Sequence, residues 1–311
     1  MKTLLGIVSY GNLDFLKLAV GEALATATAP LDLAVVVAKP GDTAMVQWLR
    51  REPRIQVIVN SYNQGFCGSL NDLCDLAFVG GAGDGLIVMG NDVVPYPGAI
   101  DALIEAAATT DRELICASQL DVRGLVGRYP EAARYFRGPN FDFTDFSARP
   151  WDLHLEAVRA LQPELRPRPE SDVQNLCLIT RRGFQRLGYF DVNYFAGGYF
   201  SDNDYCRCAA LAGVAGGVLA HAVYYHAWSR TLHQGEAREH DRFFRQNEAY
   251  YRVKWGGPVG GEKYAIPFNG RRLKVTDGLV WVPSLKIETR AQEAAAVAFW
   301  SGGGELGRRG D

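Results

Sequence analysis

The first third of the chain alternates short, continuously apolar runs with longer amphipathic stretches. TLLGIVSY, from Thr3, predicts a buried strand, and a helix is expected from Leu13 to about Thr28. LDLAVVVA, ending at Ala38, predicts a second strand and leads into a Lys39-Pro40-Gly41-Asp42 turn; a helix through Trp48 and Leu49 follows. IQVIVN, from Ile55, and the run from Leu86 to Met89 predict the third and fourth strands. Unbroken apolar strands separated by helices imply α/β architecture, a mostly parallel sheet with helices on both faces. Ligands of such sheets sit beyond the carboxyl ends of the strands. Three of those ends carry polar or glycine-bearing loops: Ser9-Tyr10-Gly11-Asn12, the segment from Asn60 to Asn71, and Gly90-Asn91-Asp92.

The middle loses this rhythm. Residues 128–170 concentrate prolines and aromatics, among them Tyr129, Tyr135, Phe136, Phe141, Phe143, Phe146 and Trp151. A stretch of that length is a large insertion or a lid. Its aromatic faces suit sugar rings, and they equally suit an aromatic-rich mini-core. Regular elements resume with a strand at Asn175 to Ile179, a helix from Gly183 to Leu187, a helix from Asp204 to Ala212, and a strand from Val218 to Tyr225 that ends in His226. Beyond about residue 240 the chain reads as an appendage with a Gly/Arg tail expected to be disordered. The expected division is therefore 1–125 and 126–240 as two halves of one large domain, with 241–311 as an extension.

Composition narrows the class without naming a chemistry. The 311 residues are 48% hydrophobic, a globular value. A formal charge of −2 gives no overall basic excess for nucleic acid or an anionic membrane. The six cysteines, Cys67, Cys74, Cys116, Cys177, Cys206 and Cys208, form no CxxC pair, so they read as reduced thiols of a cytoplasmic protein. MKTLLGIVSYG is too short an apolar run for a signal peptide, and the small-residue stretch from Ala209 to Ala220 is too short to span a membrane.

Four clusters could carry chemistry. Asp92, just after a buried strand, can hold a divalent cation against a diphosphate, or cap the helix starting near Pro97. The loop Asn63-Gln64-Gly65-Phe66-Cys67-Gly68-Ser69-Leu70-Asn71 brings backbone N–H groups close to a phosphate or base, or is a tight strand-to-helix turn; it is not a P-loop. In Gly198-Tyr199-Phe200-Ser201-Asp202-Asn203-Asp204 one acid can cap a helix while the other faces the crevice as a general base; Asp204 suits the cap and Asp202 the base. His226 can be a metal ligand or a structural strand-end residue, and the Ser229 and Arg230 that follow would suit a diphosphate.

In this order the clusters resemble family 2 glycosyltransferases, especially bacterial rhamnosyltransferase-like members. The resemblance runs over about residues 4 to 232, through Ser9-Tyr10, Asn63-x-Gly65-Phe66-x-Gly68-x-x-Asn71, Asn91-Asp92-Val93-x-Pro95, Gly188-Tyr189-Phe190-Asp191, Ser201-Asp202-Asn203-Asp204, and His226 with Ser229-Arg230-Thr231. Lys254-Trp255-Gly256-Gly257 and Pro267-Phe268-Asn269 also look like a tail of some members. The resemblance implies a GT-A fold and an inverting, metal-dependent transfer of a sugar from a nucleoside diphosphate to an acceptor hydroxyl. It places Asp92 at the last acid of a DxD-type motif, His226 at the metal- or phosphate-binding histidine, and Asp202 at the catalytic base. Asn63, Gly65 and Asn71 fall in the loop beside the nucleotide, and Ser9, Tyr10, Asp42, Asn91 and Arg230 complete the expected donor-binding set. The implied cofactor is Mn²⁺ or Mg²⁺. The implied donor is UDP- or dTDP-linked, and the acceptor a glycan, lipid-linked glycan, protein or modified nucleobase, with peripheral membrane association left open.

The chain also departs from the pattern. Ala38-Lys39-Pro40-Gly41 stands where an Asp-Asn-Gly-Ser run is usual, so the nucleobase acid is missing unless Asp42 substitutes. Gly90 replaces the first acid or amide of the metal motif, and Ser201 replaces the Glu before Asp202. Two other readings follow: a non-catalytic nucleotide-sugar-binding relative, and a nucleotidyltransferase, which is disfavoured by the lack of a Gly-rich loop with Lys or Arg after the first strand.

Overall fold

A computed structural model describes residues 1–137, 142–143, 145–167, 175–194, 197–227 and 237–270. In chain order the elements are β1 (Thr3–Ser9), α1 (Leu13–Thr26), β2 (Leu31–Val37), α2 (Thr43–Leu49), β3 (Ile55–Val59), α3 (Gly65–Cys74, continued by a π turn Asp75–Val79), β4 (Gly85–Gly90), β5 (Val93–Pro95), α4 (Ala99–Thr109), β6 (Leu114–Asp121) and α5 (Val122–Arg128). There follow β7 (Phe136–Arg137), β8 (Asp142–Phe143), α6 (Leu155–Arg159), β9 (Leu165–Pro167), β10 (Leu176–Thr180), α7 (Arg181–Leu187), α8 (Ser201–Leu211), β11 (Gly216–His226) and α9 (Ala237–Trp255).

One sheet in the order β3-β2-β1-β4-β10-β6-β11-β5 organises the molecule, with β9 alongside the first part of β11. The pairs β3-β2, β2-β1, β1-β4 and β6-β11 are parallel. β10 runs antiparallel between β4 and β6, and β5 and β9 run antiparallel to β11. The side chains of β1, β2 and β4 are buried nearly throughout, because helices cover both faces. Leu4, Val8, Val36 and Val88 face one apolar layer with α3, α8 and α9; Leu5, Ile7, Val35 and Ile87 face the other with α1, α2 and α4. The expected mixed, mostly parallel α/β sheet is present as a single domain.

The described residues favour one of the two readings of the aromatic stretch, and one expectation is revised. The described part of the aromatic stretch is a third core: Trp151 is 2% exposed and stacks on Tyr225 of β11 with centroids 5.6 Å apart, and Tyr96, Leu125, Phe136 and Val158 surround it. Phe141 and the Phe143 side chain lie outside the described residues. Residues 241–270 are no appendage, since Tyr250, Tyr251, Lys254 and Trp255 of α9 are among the most buried large side chains of the described residues. The tail from residue 271 lies outside the described residues. All six cysteines are free thiols, four of them buried. No helix among the described residues is long and apolar enough to cross a membrane.

Candidate active site

The sheet's topology brings the separated motifs to one edge. β1, β4 and β11 all end there, and antiparallel β5 starts there, pairing Val93 with His226. Ser9 at the end of β1 is fully buried, donates its hydroxyl to the Gly11 carbonyl (3.2 Å) and accepts from Asn91 Nδ2 (3.1 Å). Asn91 also donates to the Gly11 carbonyl at 3.3 Å. Ser9 and Asn91 therefore fasten the β1 loop to the β4 loop, while Tyr10 stands half-exposed above them at 39%.

Asp92 lies directly beyond this clasp. Its Oδ1 is 3.4 Å from Nε2 of His226, and both side chains are over nine-tenths buried. The Asp92 carbonyl accepts the N–H of Ala227 at 3.0 Å, which fixes the two strand ends against each other. Gly90 keeps the space beside the carboxylate open, because a Cβ there would sit 3.2 Å from Asp92 Oδ1. A carboxylate oxygen and an imidazole nitrogen held side by side are donor types that suit a divalent cation, and Asp92 and His226 would hold one. Among the described residues no group of three or more His, Cys, Asp or Glu side chains converges.

The acids before α8 are placed differently from expectation. The helix starts at Ser201, so Asp202 sits in its first turn and not in the preceding loop. Asp202 is half-buried, and its Oδ1 accepts the N–H of Asn203 at 2.9 Å. Asp204 is not a cap. It is buried and receives Lys254 Nζ at 2.8 Å, Trp255 Nε1 at 2.8 Å and the Tyr194 hydroxyl at 3.2 Å. Lys254 donates equally to Asp191 (2.7 Å), which also accepts from the Tyr250 hydroxyl at 2.7 Å. Burial alone would pull the Lys254 ammonium down, but Asp191 and Asp204 hold it above the usual lysine range. Burial pushes Asp204 up, against the downward pull of Lys254.

Residues 7–159 match the model of the family described as Glycosyl transferase family 2. No curated protein matches the chain in sequence. Solved structures share its architecture at low identity. TarS from S. aureus (residues 1–349) aligns with a TM-score of 0.50 and 13% identity over 81% of this chain and 72% of that one. Its complex with UDP gives 0.51 and 12% over the same shares. GalNAc-T7 with UDP, GalNAc and Mn²⁺ gives 0.52 and 12%, over 82% of this chain and 50% of that one. These likenesses show the fold, which is GT-A. Together with the family match they support a glycosyltransferase.

The remaining sequence-predicted residues split between crevice and scaffold. Asn63 Oδ1 accepts the N–H of Gly65 at 2.9 Å, and Gly65 opens α3 with φ +73°, a left-handed conformation that glycine adopts without strain. Asn71 has both ends of its amide on the backbone of Phe190, donating to its carbonyl at 3.0 Å and accepting its N–H at 2.9 Å. As placed, Asn71 straps the Gly188-Tyr189-Phe190 turn to α3. Asp42 caps α2 by accepting the N–H of Met45 at 3.1 Å. Arg230, with Ser229 and Thr231, lies outside the described residues.

Asn175 was not singled out by the sequence, yet its Nδ2 lies 3.5 Å from Nδ1 of His226 and 3.2 Å from Gln119 Oε1. Its carbonyl accepts the N–H of Gly90 at 3.1 Å. Asn175 thus supports the imidazole from behind, the position from which a ligand histidine's tautomer is set. Only the reversed direction of β10 brings its leading residue to this edge.

The glycine loop of α3 also meets the loop before α8. Gly198 has φ +68°, and a Cβ there would lie 2.5 Å from Cδ1 of Phe66. Gly198→Ala is expected to lower stability by about 1–3 kcal/mol through the left-handed backbone and the clash. Denaturant unfolding measures it, and an unchanged midpoint would mean that Phe66 yields freely.

Proposed function

We propose that the chain is an inverting glycosyltransferase that moves a hexosyl or deoxyhexosyl group from a nucleoside diphosphate to an acceptor hydroxyl, with a divalent cation at Asp92 and His226. The observation that carries this reading is the buried Asp92–His226 pair where β5 starts and β11 ends, with Gly90 leaving room beside the carboxylate. A bound cation would supply charge neutralisation for the departing diphosphate. Asn175 orients His226, and the Ser9–Asn91 clasp holds the loop that carries Asp92. The Asn63–Gly65 turn presents backbone N–H groups at the start of α3. Asp202 accepts the proton of the acceptor hydroxyl as it attacks the anomeric carbon, so no covalent sugar–enzyme intermediate forms. A neighbour of the same fold binds UDP and Mn²⁺, which makes UDP-sugars the first donors to test, with dTDP-linked deoxyhexoses beside them on the strength of the rhamnosyltransferase-like motifs.

Nucleoside diphosphate release across a panel of donors, with Mn²⁺ or Mg²⁺ and with chelator, tests the activity. Calorimetric titration of UDP and dTDP tests the cation's part in binding. Affinity should fall at least tenfold on chelation, and Asp92→Asn should reproduce that loss with the fold intact. Equal affinity with and without chelator would remove the metal role. A protein that binds nucleotide but turns over no donor would be the non-catalytic relative that the unusual Ala38 and Gly90 suggest.

A further inference from the structure

The described aromatics of the 129–151 stretch that are packed into the third core, Trp151 and Phe136 above all, are not surfaces for a substrate. A different set of rings lies beside the proposed base. Phe200 directly precedes α8, two residues before Asp202, and holds φ +67°, a left-handed conformation that is unusual for a bulky side chain. Phe244 of α9 packs edgewise on Tyr199, with centroids 5.3 Å apart and planes at 72°. It meets Phe200 at 5.1 Å and 56°, and Phe200 in turn meets Tyr251 at 5.8 Å. These contacts hold Phe244 in place, yet it remains 40% exposed. On the other side of the loop, Phe66 at the start of α3 packs against Gly198.

Topology places this wall at the working edge of the sheet. β11 ends there at His226, α9 begins only eleven residues later at Ala237, and Phe244 lies two turns into it. The N-termini of α3 and α8 meet at the same place through Phe66 and Gly198.

We propose that Tyr199, Phe200 and Phe244 form the acceptor platform and that the group they receive is a pyranose ring. The identification of the platform with the acceptor side rests on the reading of Asp202 as the base. A pyranose presents a face of C–H groups, which packs on the electron-rich face of an aromatic ring, and a rim of hydroxyls, which needs polar partners. The wall has that composition. Phe244 is flanked on α9 by exposed Asp241, Arg242 and Arg245, and Asp202 follows Phe200 by two residues in α8. An isoprenoid chain would need an apolar groove many carbons long, and charged side chains interrupt this surface on both sides of a single exposed ring.

The test measures sugar binding without any donor, by saturation-transfer NMR and titration with methyl α- and β-glycosides of the common hexoses and 6-deoxyhexoses. At least one glycoside should bind through its C–H face to the native protein. Phe244→Ala should weaken it about tenfold, the share of one aromatic face, and Phe244→Trp should preserve it. Val253→Ala removes an equally exposed apolar residue from the same helix and should leave binding unchanged. Absence of binding by every glycoside, or equal losses in Phe244→Ala and Val253→Ala, would overturn the platform. Donor turnover is measured separately. Glycoside binding that depends on Phe244 in a protein without turnover would keep the sugar platform and remove the transferase reading.

Discussion

Replacing Asp202 by Asn should lower glycosyl transfer by about 10²-fold or more while leaving nucleotide affinity nearly unchanged. An acceptor hydroxyl is a poor nucleophile at neutral pH, and a carboxylate within reach is the helper that direct displacement needs. Three acids of this region could serve, and two of them have buried side chains ion-paired to Lys254. Asp191 is committed to Lys254, Tyr250 and Asn193. Asp204 is committed to Lys254, Trp255 and Tyr194 in a buried setting. Asp202 is half-buried in the first turn of α8, with the local N–H of Asn203 on Oδ1. The substitution keeps shape and that acceptor oxygen, so the loss should fall on kcat. Near-native turnover of Asp202→Asn with a true acceptor would end the assignment, as would a loss accounted for wholly by weaker binding of the donor.

The residues that could be read from sequence are those whose role follows from local pattern. Apolar runs such as LDLAVVVA are buried on both faces wherever they pair, so β1 to β4 and their parallel pairing were legible, while their order was not. Asp92 and His226 were legible as strand-end residues, but their approach to 3.4 Å depends on β5 turning back against β11, which no local signal encodes. Asn175 was hidden for the same reason, because its place depends on the direction of β10. Asp204 looked like a helix cap because acids favour first turns. Two of its partners, Lys254 and Trp255, lie some fifty residues on, and only tertiary packing reveals that its charge is buried. Trp151 illustrates the converse, since an aromatic face offers the same sequence signal whether it meets a ligand or Tyr225.

The largest expected loss of stability comes from Lys254→Met, about 3–5 kcal/mol. Lys254 is 1% exposed and bridges two carboxylates from separate segments, Asp191 before the glycine loop and Asp204 within α8. Methionine fills similar volume, so the loss is electrostatic: two acids remain in a buried site without their cation. In the native protein the folded lysine titrates above its unfolded value. Its contribution is therefore complete below about pH 10 and lost only as pH rises through the higher folded value, so the lock does not titrate near neutrality. In the variant the charge that remains is carboxylate, and burial with the charge of Asp191 raises Asp204 without the opposing pull of Lys254. A raised carboxyl group stabilises the fold at low pH and loses that contribution as pH rises, so the deficit of Lys254→Met should be larger at pH 8 than at pH 5. Adding Asp204→Asn removes one of the stranded charges and should recover part of the loss. Urea unfolding of both variants at the two pH values measures this. A deficit independent of pH, with no recovery in the double variant, would show that Lys254 acts through packing of its stem and not through its charge. Because Asp204 and Asp202 share the first turn of α8, the same lock also sets where the proposed base stands, which is how a residue of α9 comes to govern the crevice.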